Sequence, residues 1–204
     1  MIAIVDYGVG NLFSLRSSLA AIGAETTVSG EESVLRSADR IILPGVGAFG
    51  EAAEKLRAGG LDRLLCRLAE EGKPLLGICL GMQLLFDRSL EFGSHDGLGL
   101  IPGTVTPIAP RIGGNLKVPQ IGWNALTFPR GRSKHPLWAH TPEGTYVYFV
   151  HSYAAECGDY EIAACEYGAS LTAAAANGNV CGTQFHPEKS GEAGLAILRS
   201  FCSL

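Results

Sequence analysis

The sequence has no CxxC pair: its six cysteines, Cys66, Cys79, Cys157, Cys165, Cys181 and Cys202, are scattered along the chain. That spacing excludes a zinc finger or a thioredoxin-type motif and makes a reducing cytoplasm the simplest setting. A basic cluster is also missing. Sixteen Lys and Arg oppose twenty Asp and Glu, a formal net charge of -4, which argues against nucleic acid as the main partner. No apolar run approaches the roughly 20 residues that a membrane span requires. The opening MIAIVDYG has no positively charged segment and reaches Asp6 at once, so no signal peptide is expected. Internal repeats are absent, and the TAAAAN run at 172–177 is too short to count as low complexity. What is present is a chain of 204 residues, 47% hydrophobic and 18% charged. That is enough for a single domain, 1–204, with a real core and no need of disulfides.

The first half alternates short apolar runs with helical spacing. IAIVD (2–6) reads as a buried strand, and ETTV (25–28), RIILPG (40–45) and KPLLGI (73–78) as the next strands. Between them lie helical patterns at 11–23, around Glu31 to Ala38, and on either side of Gly59-Gly60. LGMQLLF after the fourth strand reads as another helix. This alternation predicts an α/β fold with a doubly wound, mainly parallel sheet. After Phe86 prolines and glycines become frequent, and strand-like runs follow at 104–108, 123–128, 145–153, 160–167 and 179–186. They are expected as antiparallel additions to the same core, with a closing helix over 191–202.

Chemistry concentrates at GICLG (77–81), a G-x-C-x-G between a strand and a helix. This is the spacing of a nucleophile elbow, in which a sharp turn exposes the reactive side chain and small neighbours let substrate approach. It also sets Cys79 at a helix start, which favours a thiolate; a free thiol is only about 3% ionised at pH 7. The other five cysteines are expected to be inert core residues. Of five histidines, His186 stands out in FHPEKS. Pro187 biases it toward extended backbone, where residues i and i+2 share a side, so Glu188 can orient the imidazole. That is a base and its orienting carboxylate within three residues. His151, in FVHSY, is a rival base or a packed residue, while His95, His135 and His140 are expected in loops. PGVGAFG (44–50) follows a strand end, and its glycines free backbone N–H groups that, with the N–H of Leu80, could form an oxyanion hole. It does not match a Walker A or G-x-G-x-x-G phosphate loop.

These motifs together resemble the class I, triad-type glutamine amidotransferases, whose fold is a flavodoxin-like α/β sheet with added strands. DYGVGN, PGVGAFGEA, GICLGMQLLF, PQIGWN, YFVHSY and QFHPEKS, in that order, are similar to the glutaminase subunits of imidazole glycerol phosphate synthases. The likeness runs from residue 6 to about 190. It implies hydrolysis of the glutamine side-chain amide by Cys79, with His186 moving protons and Glu188 orienting it. It further implies Val46 and Leu80 as oxyanion donors, and Gly47, Gln83, Glu91, His151, Ser152 and Tyr153 as substrate contacts. It implies no cofactor and no metal. The expected partner is a (β/α)8-barrel cyclase subunit in a heterodimer, which uses the ammonia to make imidazole glycerol phosphate and an aminoimidazole carboxamide ribotide. Asn11, Trp123 and Lys189 are expected to face that barrel. Another class I glutaminase subunit, a cysteine hydrolase on a flavodoxin-like fold, and a non-enzymatic binding module are the competing readings.

Overall fold

The computed structural model describes residues 1–204. Its first half follows the predicted alternation: β1 (Ile2–Val5), α1 (Leu12–Ala21), β2 (Thr26–Ser29), α2 (Glu32–Ser37), β3 (Arg40–Leu43), α3 (Phe49–Ala58), α4 (Leu61–Glu70), β4 (Leu75–Ile78) and α5 (Leu80–Leu84). The second half adds β5 (Phe86–Ser89), β6 (His95–Asp96), β7 (Ile101–Pro107), β8 (Gln120–Thr127), β9 (Tyr146–His151), β10 (Tyr153–Glu156), β11 (Glu161–Glu166), β12 (Ser170–Asn177), β13 (Val180–Thr183) and α6 (Gly191–Cys202).

Nine strands form one sheet in the order β2-β1-β3-β4-β13-β12-β11-β8-β9. The strands from β2 to β13 are parallel, and those from β12 to β9 run antiparallel to their neighbours. The parallel part has the flavodoxin-like order, with its fifth strand supplied from the far end of the chain. A smaller sheet, β10-β7-β5-β6, packs beside it.

Strand residues alternate between two apolar layers. Ala3, Val5, Ile41, Leu43 and Leu75 face the side covered by α3 and α4; Ile2, Ile4, Ile42, Leu76 and Ile78 face the side covered by α1 and α6. Burial on both faces explains why these strands read as continuous apolar runs. On α4 the buried positions are Leu61, Leu64, Leu65, Leu68 and Ala69, the 3.6-residue stripe, while Arg63 and Arg67 stay outside the core.

Several expectations change. The helix after Cys79 stops at Leu84, because the carbonyls of Leu84 and Leu85 accept from Leu98, Leu100 and Ile101 instead of continuing the helical ladder. The last strand, β13, is parallel to β4 and not an antiparallel addition. The alanine run belongs to β12, between β11 and β13, where Ala173, Ala174 and Ala175 are fully buried. Alanine's helical preference yields there to pairing on both edges of a buried strand. Cys66 and Cys202 are half-buried and not core, since both sit at helix flanks. His135 is half-buried as well: its Nδ1 accepts from the Leu137 N–H and starts a 3-10 turn that buries Trp138.

Candidate active site

Four loops leave the carboxyl ends of β1, β3, β4 and β13, where ligands bind in open parallel sheets. The β4–α5 loop carries Cys79 at φ 55°, ψ -112°. An L-residue reaches that region only under strain, worth about 1–3 kcal/mol, when its surroundings impose it. Those surroundings are tight. A methyl group on Gly77 would lie 2.6 Å from the carbonyl oxygen of Gly81, and one on Gly81 would run into the carbonyl oxygen of Leu43. The Cys79 N–H donates to the Thr183 carbonyl at 2.7 Å, tying the elbow to β13. With only five residues, α5 offers little macrodipole; the groups that face the sulfur are individual ones.

One of them is His186. Parallel pairing sets Thr183 opposite Ile78, so the residues following each strand become neighbours. His186 Nδ1 donates to Glu188 Oε1 at 2.7 Å, and the imidazole lines the same cavity as the Cys79 sulfur. Burial alone would depress the imidazole. Hydrogen bonds to Cys79 and Glu188, and the charges of both, outweigh burial and raise His186 to about 9.

A cavity of about 390 Å³ opens over Cys79 and His186. Val46, Gly47, Leu80, Gln83, Glu91, His151, Ser152, Tyr153 and Lys189 all line it. No acceptor within the chain takes the N–H of Val46 or of Leu80. Glu91 also accepts the Phe49 N–H at 2.6 Å, so it caps α3 directly after the Val46 loop. His151 is pushed down to about 4, by burial first and by His186 as well, despite its bond to the Tyr153 carbonyl. It is therefore neutral where His186 is charged, and it has no carboxylate partner. Asn11 caps α1 through Ser14 and borders a crevice shared with Val46, His186 and Glu188. Trp123 lies outside the cavity, half exposed on β8, edge-on to Tyr148 at 5.9 Å. A larger groove of about 470 Å³ between α1 and β2 has Arg16 as its one charged side chain and no cysteine, histidine or carboxylate, so the chemistry points to the smaller cavity.

The family "Glutamine amidotransferase class-I" matches residues 3–203. The chain belongs to this family. It is 47% identical to "Imidazole glycerol phosphate synthase subunit HisH" of Bacillus cytotoxicus, over 98% of this chain and 93% of that protein. It is 48% identical to the subunit of the same name from Bacillus velezensis, over 100% and 96% of the two chains. The fold is similar to that of PurLQS from Thermotoga maritima, with a TM-score of 0.75 at 21% identity, over 99% and 97% of the chains. The amidotransferase resemblance drawn from the motifs is borne out.

This amidotransferase also places three residues at the site that the sequence reading passed over. Gln184, fully buried, donates from Nε2 to the Cys79 sulfur at 3.7 Å. The alternation that linked His186 to Glu188 also links it back to Gln184, and could have found it. Tyr7 donates its hydroxyl to the Pro44 carbonyl at 2.8 Å, immediately before Gly45 and Val46. Ser190 accepts the Tyr148 N–H and donates to the His186 carbonyl at 2.7 Å, clamping the histidine from behind. Both lie within quoted motifs, DYGVGN and QFHPEKS, but no spacing there marks their contacts.

Proposed function

We propose that the chain hydrolyses glutamine to glutamate and ammonia as the glutaminase subunit of an imidazole glycerol phosphate synthase, in histidine biosynthesis. The observation that carries this reading is His186, bonded to the Glu188 carboxylate 2.7 Å away, lining one cavity with the Cys79 sulfur. The sulfur of Cys79 attacks the amide carbon, and the Val46 and Leu80 N–H groups take the oxyanion. Protonated His186 gives its proton to the departing nitrogen, leaving a thioester and ammonia. Neutral His186 then accepts a proton from water as it attacks the thioester, and glutamate leaves as the sulfur is restored. Glu188 keeps the imidazole oriented through both halves. Gly47, Gln83, Glu91 and the His151–Tyr153 segment hold the amino-acid end of the substrate.

Ammonia released into water is protonated and lost as a nucleophile, so a partner that uses it must dock over the cavity. A (β/α)8-barrel cyclase in a heterodimer fits this need. An exposed aromatic leads from the surface into the site: Trp123 touches Tyr148, and the Lys189 amine lies 5.9 Å from the Tyr148 ring centre while lining the cavity. We therefore set Trp123, Lys189 and Asn11 on the barrel-facing side. Six free thiols suit a reducing cytoplasm. The test is Cys79→Ala in the complex. Glutamine-dependent turnover disappears while turnover with an added ammonium salt persists; glutamine use at the wild-type rate would reject the assignment.

A further inference from the structure

Four buried side chains and one carbonyl around the nucleophile form a directed chain. The carbonyl oxygen of Tyr153 receives two contacts, His151 Nδ1 at 2.8 Å and Gln83 Nε2 at 3.1 Å. A carbonyl can only accept, so both partners must present N–H there. Gln83 thus has its amide nitrogen inward, and its second N–H goes to Gln184 Oε1 at 2.9 Å. That in turn fixes Gln184: with its oxygen taken by Gln83, its nitrogen faces the Cys79 sulfur at 3.7 Å. Rotating either amide would set two donors or two acceptors face to face inside the protein, where each unmet group costs free energy.

The sulfur has one contact of the opposite sense. The Val150 carbonyl lies 3.9 Å away and can accept from a thiol but repels a sulfur anion. Gln184 is the neutral donor that offsets it. We propose that Gln184 is a positioning residue of this amidotransferase: its amide, aimed by the Tyr153 carbonyl through Gln83, donates to the Cys79 sulfur, a contact that suits the anion better than the thiol, and fixes it in the direction of attack. The inference rests on Cys79 being the nucleophile. It also ties the substrate side of the cavity to the reacting atom, since Gln83 and Tyr153 both line the pocket.

Titratable groups facing the sulfur are His186 and Tyr7, and neither side chain is removed by a change at Gln184. The experiment is peptide-resolved mass spectrometry of Cys79 alkylation by iodoacetamide, across pH, in the full chain. Peptide resolution separates Cys79 from the five other thiols. Gln184→Met, of similar volume but without a donor, is expected to alkylate about tenfold more slowly at pH 7, the scale of one lost bond to a charged group. The rate is expected to recover as the pH is raised. Gln184→Leu, which also lacks a donor, carries the test if the Met variant does not fold, as judged by its thermal melt. A wild-type rate at pH 7 in a folded variant would overturn the proposal. So would a slow rate that does not recover at higher pH, because a merely distorted pocket blocks the reagent at every pH. Loss of glutaminase activity in Cys79→Ala with unchanged alkylation in Gln184→Met would reject this inference alone; retained activity in Cys79→Ala would reject the nucleophile itself.

Discussion

Nδ1 of His186 lies 2.7 Å from Oε1 of Glu188, with side chains only 2% and 4% exposed. In so dry a place the carboxylate strongly favours the protonated ring, and with Cys79 it lifts His186 to about 9. His186→Ala is expected to lower kcat for glutamine by about 10⁴-fold, the upper range for a general acid–base group. Glu188→Gln keeps the shape and loses the charge, and a fall of roughly 10–10²-fold is expected. The alkaline limb of its pH–rate profile should move to lower pH, because less holds the proton on the ring. Equal kcat values for the two variants, or an unmoved limb, would contradict these roles.

His151 carries the opposite sign. Its pKa in the folded chain is about 4, and about 6.5 is usual, so between these values the unfolded chain binds the extra proton. Stability is therefore lost as pH falls from about 6.5 to about 4, up to ~3 kcal/mol from this group. His186, raised, contributes stability below about 6.5 that is lost as pH rises through about 9. Urea unfolding of His151→Gln should show a shallower acid slope than wild type. Parallel slopes would remove His151 from the acid response.

Gly81 has no room for a side chain, since a methyl there meets the Leu43 carbonyl. Gly81→Ala should cost about 3 kcal/mol or more, or yield insoluble protein, because β3 and α5 would have to separate. Gly178, at φ 59° with open space around it, is the control. Gly178→Ala should cost only about 1–2 kcal/mol, the conformational term alone. Thermal melts of the two proteins decide between contact and conformation; similar losses would deny the tight packing at the elbow.

Control should reside in the loop that carries Val46. Gly45 and Gly47 flank it, Gly47 at φ 96°, and Tyr7 ties down the Pro44 carbonyl just before. Glutamate production by the chain alone is expected to be slow. The cyclase partner with its ligand bound should raise it by about 10²–10³-fold, the worth of one oxyanion donor brought into place. Tyr7→Phe frees one end of the loop and should cost about 1 kcal/mol of stability and reduce the activated rate. Equal rates for chain, pair and liganded pair would leave a constitutive glutaminase.

The sequence by itself determined whatever depends on neighbours a few residues apart. Strands β1, β3 and β4 were legible because burial on both faces leaves an apolar run. The Gly77-x-Cys79-x-Gly81 elbow and the His186–Glu188 pair were legible because each is a local conformation with its own residue requirements. Tertiary structure alone decided what joins them. Nothing within FHPEKS states that β13 lies parallel to β4, yet that register brings Gln184 against Cys79 across 105 positions of sequence. The alanines of β12 and the early end of α5 at Leu84 were settled in the same way, by pairing with strands on both edges and by carbonyls with better partners elsewhere. Local periodicity records which face a residue presents. Which distant strand meets that face depends on how all the apolar surface is buried at once, and no short segment encodes that.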